Sequence, residues 1–122
     1  MIESNVIKAA CLKELPFTLD TAMLNNATFV GRASGHSMQG VGIFDGDLLV
    51  IDRALKPKQN DVIVAVLNGV YVCKLADLKN NALVSANADY PPVNITQHDN
   101  FTLEGVVTQS IRLHKIPIDL SS

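Results

Sequence analysis

The sequence predicts a mainly β, mostly antiparallel fold with little helix. From Thr28 onward, short runs rich in β-branched residues alternate with clusters of Gly, Pro, Asn and Asp. Asn68-Gly69 lies between two such runs and is a strong hairpin signal, because a type I′ turn needs positive φ at both central positions. With 122 residues, 48% of them hydrophobic, the chain is long enough for one domain with its own core.

The runs predict six strands, over residues 28–33, 47–53, 61–67, 70–75, 82–86 and 101–114. Gly105 inside the last run indicates a bulge or bend. Residues 87–100, which include two adjacent prolines, are predicted to be a long surface connection.

The domain organisation follows from where this β pattern begins and ends. Residues 1–27 show no firm period and are predicted to be an N-terminal arm with a short helix over residues 20–24. Residues 28–116 then form the folded domain, and residues 117–122 a C-terminal tail.

Composition and charge exclude several classes of function. The formal net charge is −2 without a long Lys/Arg run, so direct nucleic-acid binding is not expected. Cys11 and Cys73 lack metal-ligand spacing, so we expect free thiols in a reducing compartment and no metal site. No motif indicates a cofactor. No stretch reaches the roughly 18 apolar residues of a membrane span, and the expected location is the cytoplasm.

Ser37 lies in a loop that also contains Gly35, Gly40, Gly42 and Gly46. Glycine allows close backbone approach and positive φ, so such a loop can present a hydroxyl beside backbone N–H groups. A serine in this setting is either a nucleophile or a turn former. The loop alone does not distinguish the two.

Strand alternation places Lys74 in an apolar row with Val70 and Val72. Lys74 is then either a gatekeeper on an edge strand, with its ammonium in water, or a desolvated lysine that acts as a neutral base. A useful base at neutral pH needs its pKa lowered by roughly 3 units, which burial can supply. The pattern by itself favours the gatekeeper.

Other arrangements of a catalytic serine fit the sequence less well. A nucleophile elbow needs G-x-S-x-G, but the spacing from Gly35 to Gly40 is one residue too long. A Ser-His-Asp triad would have to use His98 or His114, and neither lies in a motif. His36 is adjacent to the serine, so we expect its side chain to face away from it.

Four segments carry a resemblance to a known family. Residues 33–38 and 42–52 resemble the serine box of the LexA/UmuD self-cleaving peptidases, and residues 70–75 are similar to their lysine strand at the same separation. Residues 87–93 and 103–107 are similar as well, so the resemblance extends over residues 28–116. It implies a LexA/signal-peptidase-like catalytic domain. Ser37 is then the nucleophile, Lys74 the neutral base, and the N–H groups of His36 and Ser37 the oxyanion hole.

The short arm indicates the UmuD branch of this family, since it is too short for a repressor's DNA-binding domain. That branch implies an SOS-induced accessory subunit of an error-prone translesion DNA polymerase. The implied partners are a second copy of the chain, contacting through the last strand and the arm, the polymerase catalytic subunit, the RecA filament that stimulates self-cleavage, and the polymerase sliding clamp.

Family members cut an Ala-Gly or Cys-Gly bond in the arm, whereas the first glycine here is Gly31. The chain therefore resembles the processed form. Two alternatives stay open. One is the C-terminal peptidase domain of a LexA- or phage-type repressor. The other is a non-cleaving homologue that acts only as a dimeric binding module.

Overall fold

A computed structural model describes residues 7–8 and 27–115, which fold around one antiparallel sheet. In this part of the chain the strands are β1 (Ile7–Lys8), β2 (Thr28–Arg32), β3 (Leu48–Asp52), β4 (Val62–Leu67), β5 (Val70–Asp77), β6 (Ala82–Val84), β7 (Val93–Asn94) and β8 (Phe101–Ile111). Their order is β1-β2-β3-β8-β4-β5-β6-β7. A 3-10 helix, Gln39–Val41, lies between β2 and β3.

The predicted mainly antiparallel β fold is confirmed, and β2 to β6 and β8 correspond to the six predicted strands. Two strands were not predicted. β1 lies in the expected arm and pairs with β2, and β7 lies in the expected surface connection and pairs with β6. Each has only two residues, too few for a period to be read. The helix expected at 20–24, the tail 117–122 and Cys11 lie outside the described residues.

β4 and β5 form the hairpin that the Asn-Gly pair predicts. Asn68 has φ 50° and Gly69 has φ 84°, as a type I′ turn requires. The turn fixes the register, in which Ile63 is opposite Lys74 and Val64 is opposite Cys73.

β8 joins the two parts of the sheet. Its C-terminal half, from Val106 to Ile111, pairs with β3, and its N-terminal half, from Phe101 to Val106, pairs with β4. The register with β4 shifts next to Gly105, which confirms the predicted irregularity. A Cβ at Gly105 would lie 2.8 Å from the backbone oxygen of Asp52, so the close approach of β8 to β3 at this position requires glycine.

Alternate residues of β5 enter two different hydrophobic clusters, as the period of 2 predicts. Cys73, with Tyr71 and Leu75 beside it, packs in a cluster whose other buried members are Phe29, Ala33, Met38, Ile43, Leu49, Ile51 and Val64. Val72 and Ala76 belong to a second cluster whose other buried members are Ile63, Leu83 and Val106. Lys74 lies between Val72 and Ala76 on the face of this second cluster.

Cys73 is a free, buried thiol. Burial raises its pKa to about 11, so the thiol stays protonated near neutral pH and acts as an apolar packing group. In the described ranges, 7–8 and 27–115, no helix has the length and apolar character needed to cross a membrane.

Candidate active site

The loop that carries Ser37, residues 34–47 and called the serine loop below, connects β2 to β3 and is closed at its base by backbone hydrogen bonds. Ala33 N–H donates to the Asp47 oxygen at 2.8 Å, and Gly46 N–H donates to the Ala33 oxygen at 2.8 Å. The side chain of Asp45 accepts from Gly35 N–H, also at 2.8 Å. With the loop closed in this way, Ser37 is only 4% exposed.

Asp47 is the buried electrostatic anchor of the serine loop. Its side chain is almost fully buried and accepts from Arg112 Nε at 3.0 Å, from Arg112 Nη2 at 3.1 Å and from Phe44 N–H at 2.8 Å. Arg112 also donates to the Gly42 oxygen at 3.1 Å and stacks on the Phe44 ring. A residue just beyond the end of β8 therefore holds the second half of the serine loop in place.

Lys74 lies on β5, which is bonded to β4 on one side and β6 on the other. The gatekeeper interpretation stays a prediction, because β6 pairs with β5 only from Leu75 to Asp77 and Lys74 comes just before that stretch. The side chain is half-buried, its Nζ donates to Ser85 Oγ at 2.7 Å, and it lies 5.5 Å from the centre of the Tyr90 ring. Burial of the ammonium lowers the pKa of Lys74, and the neighbouring Cys73 opposes this in part.

Residues 85–87, called the anchor segment below, contact both Lys74 and the serine loop. Ser85 binds the Lys74 amine, Ala86 accepts from Gly40 N–H at 2.6 Å, and Asn87 Nδ2 donates to the His36 oxygen at 3.0 Å. A Cβ at Gly40 would collide with the Ala86 carbonyl, which explains the glycine there. The structure therefore brings the serine loop and Lys74 to the same three residues, although they are far apart in sequence.

His36 contributes its backbone more than its ring to this arrangement. The exposed ring makes a 3.2 Å contact between Nδ1 and Gln39 Nε2 within the same loop. Its carbonyl accepts from Asn87 Nδ2 at 3.0 Å and from Gln39 N–H at 3.4 Å. Because a trans peptide points its C=O and N–H in opposite directions, these bonds also constrain the direction of the Ser37 N–H. That N–H is one of the two expected oxyanion donors.

Sequence reasoning missed Ser85, Asn87 and Tyr90 as parts of the site. Asn87 and Tyr90 lie in the segment 87–93 that carries part of the family resemblance, and this was the available signal for them. No sequence signal pointed to Ser85, because a serine just after a strand is common. Its contact with Lys74 depends on how β6 pairs with β5.

Comparisons with known proteins point to one family. The model of the peptidase S24-like family matches residues 5–108. Protein ImpA of Escherichia coli is 39% identical over 85 residues, which cover 70% of this chain and 59% of ImpA. Protein SamA of Salmonella typhimurium is 40% identical over 86 residues, with the same two shares of 70% and 59%. The LexA repressor of Syntrophotalea carbinolica is 36% identical over 89 residues, 71% of this chain and 44% of the repressor.

The chain thus spans about 59% of the length of ImpA and SamA. The family match nevertheless extends across the serine loop, β5 and the anchor segment, where the contacts described above are made. On these grounds the chain belongs to the peptidase S24-like family, as a UmuD-like member of it.

Proposed function

We propose that this protein is a serine peptidase of the SOS mutagenesis type, in which Ser37 is the nucleophile and Lys74 the general base. The observation that supports this best is the convergence of the serine loop and the half-buried Lys74 amine on residues 85–87. Serine is a weak nucleophile without a base nearby, and here a titratable amine and the serine loop contact the same three residues.

In the proposed reaction, the neutral amine of Lys74 takes the proton of the Ser37 hydroxyl as Oγ attacks the carbonyl carbon of the scissile bond. The N–H groups of His36 and Ser37 stabilise the negative charge on the carbonyl oxygen. The proton on Lys74 then passes to the departing amine as the C–N bond breaks, leaving an ester on Ser37. Water hydrolyses this ester, with Lys74 again acting as the base.

The setting of Lys74 contains opposing electrostatic effects. Half-burial disfavours the ammonium form, whereas the Ser85 hydroxyl and the face of Tyr90 both stabilise a cation. The net direction is a lowered pKa. A larger fraction of the amine is therefore neutral at a given pH than for an exposed lysine.

In the cell, we propose that the protein works in the cytoplasm as a homodimeric accessory subunit of an error-prone translesion polymerase. Its further partners are the RecA filament, which stimulates cleavage, and the polymerase sliding clamp. Similarity to ImpA and SamA at 39% and 40% identity supports a UmuD-like role over a repressor role.

The proposed peptidase activity is tested by cleavage in trans. The purified chain is mixed with a full-length UmuD-like relative that has an Ala-Gly site and carries a Ser→Ala change at its own nucleophile, together with RecA, ATP and single-stranded DNA. We expect cleavage by the wild type and by Ser110→Ala, an exposed serine on β8, but none by Ser37→Ala. Equal cleavage, or equal absence of cleavage, by the wild type and Ser37→Ala would contradict the peptidase function and favour a role as a dimeric binding module.

A further inference from the structure

The anchor segment contacts both halves of the proposed site. Its first residue, Ser85, binds the Lys74 amine, and its third, Asn87, binds the His36–Ser37 peptide, whose N–H is a proposed oxyanion donor. Ser85 Oγ is 2.7 Å from Lys74 Nζ, and Asn87 Nδ2 is 3.0 Å from the His36 oxygen. Between them, the Ala86 carbonyl holds Gly40 N–H at 2.6 Å. Since the three residues are consecutive, one short piece of backbone sets the spacing between the base and the serine loop.

The Ser85 hydroxyl is chemically suited to hold an amine in two protonation states. It accepts a hydrogen bond from the ammonium, and after proton loss it can donate its own O–H to the lone pair of the neutral amine. Lys74 has a long, flexible side chain, so a fixed partner reduces the number of positions its Nζ samples. Alanine at position 85 would remove this partner without adding bulk.

Asn87 is anchored at both ends of its amide. Its Oδ1 accepts from Asp89 N–H at 3.0 Å, which closes an Asx-type turn, while Nδ2 donates to the His36 oxygen. The turn thereby fixes the orientation of the amide. The amide, whose 3.0 Å bond to the His36 oxygen is shorter than the 3.4 Å bond from Gln39 N–H, then holds the plane of the His36–Ser37 peptide. The direction of the Ser37 N–H depends on that plane.

We propose that Ser85 and Asn87 are positioning residues of the Ser37–Lys74 site. Ser85 holds the Lys74 amine, and Asn87 orients the peptide that donates to the oxyanion. This proposal rests on the proposed peptidase function and adds to it the part of the fold that assembles the site.

Kinetics of cleavage in trans as a function of pH test both roles. In Ser85→Ala, we expect the rate at high pH to fall by about tenfold or more, because the amine is neutral but badly placed. The midpoint of its pH profile should move to lower pH, because the ammonium loses an acceptor; Cys73 and Tyr90 are the other titratable groups that act on this amine. Ser85→Thr, which keeps a hydroxyl, should restore most of the rate.

Asn87→Ser keeps a neutral side chain that can still accept from Asp89 N–H. The shorter serine side chain, however, has no amide N–H to donate to the His36 oxygen. We expect its rate at high pH to fall by about tenfold or more with an unchanged midpoint, since only oxyanion stabilisation is affected. Ser110→Ala on β8 and Asn94→Ser on β7 are matched controls at exposed positions and should behave as wild type.

A second measurement does not depend on cleavage. NMR titration of the Lys74 side chain in the full chain should give a lower pKa for Ser85→Ala than for wild type, and the Ser37 amide signal should shift in Asn87→Ser but not in Asn94→Ser. If wild type fails to cleave, the peptidase function fails while these signals still decide the positioning roles. Unchanged NMR signals, or wild-type rates and profiles in both variants, would overturn the proposal. Cleavage lost in Ser85→Ala but kept in Ser37→Ala would also overturn it, since Ser85 would then be the nucleophile.

Discussion

At the scale of single residues, Lys74 combines an ionisable amine with a half-buried position on β5, just before the stretch that pairs with β6. An exposed lysine with a pKa of about 10.4 is neutral in less than about one molecule in a thousand at pH 7. Burial lowers the pKa of Lys74, so the neutral form becomes available at lower pH. This shift is in the direction that the proposed role of Lys74 as a base requires.

The first prediction concerns this amine. Lys74→Ala should abolish cleavage in trans, whereas Lys79→Ala, at an exposed position in the turn after β5, should leave it unchanged. The wild-type rate should rise as pH increases through the pKa of Lys74, because only the neutral amine accepts a proton. The measurement is the initial rate from neutral to strongly alkaline pH. A flat profile would contradict a lysine base.

The second prediction concerns Asp47, whose buried carboxylate joins the serine loop to Arg112. Asp47→Asn removes the charge that Arg112 bonds at two atoms, and we expect it to lower the free energy of unfolding by about 1–3 kcal/mol. Urea denaturation measures the change, with Asp89→Asn at an exposed loop position as the control. Equal stability of the two variants would mean that the pair contributes nothing to holding the loop.

At the scale of elements, β8 is the strand on which the sheet depends, since β3 pairs with one half of it and β4 with the other. Register shifts occur in both pairings, between Val50 and Ile51 and between Val64 and Ala65. Such irregularities bend a strand and increase its local twist.

The third prediction tests the close approach of β8 to β3 at Gly105. Gly105→Ala would place a Cβ 2.8 Å from both the Asp52 oxygen and Ile51 Cγ2, so β3 and β8 must move apart. We expect a loss of about 1–3 kcal/mol in the free energy of unfolding, typical of overpacking. Thermal or urea unfolding measures it, with Ser110→Ala on the same strand as the control. A free energy of unfolding equal to that of wild type would show that β3 and β8 accommodate the added methyl group without loss of stability.

At the scale of the whole molecule, the family resemblance implies a dimer that uses the last strand. Within the described residues, β8 pairs with β3 from Val106 to Ile111 and with β4 from Phe101 to Val106, so the contact that the resemblance implies would involve side chains of β8. Leu103, 39% exposed on β8, is an apolar side chain available for such a contact.

The fourth prediction follows from this placement. Sedimentation at micromolar concentration should give twice the 13.2 kDa mass of the chain, and Leu103→Glu should shift the species toward monomer. Thr102→Glu, a neighbouring exposed position on the opposite side of β8, serves as the control for added charge. A wild-type monomer at these concentrations would contradict the dimer.

The strands were predictable because β-branched runs bounded by turn residues reflect a local preference that tertiary packing reinforces. The Asn68-Gly69 turn was predictable for a similar reason, since its positive φ values favour those two residues over most others. β1 and β7 were not, because a two-residue strand exists only through its pairing with β2 or β6.

The sequence by itself determined the antiparallel β class and the hairpin, and its resemblance to a known family predicted the pair Ser37 and Lys74 at the family's separation. These are properties of short segments and of spacing along the chain. Only the tertiary structure decided that β6 pairs with β5 directly after Lys74, and that residues 85–87 meet both the amine and the serine loop. Strand order and these long-range hydrogen bonds depend on how the sheet is assembled, and no local pattern encodes that assembly.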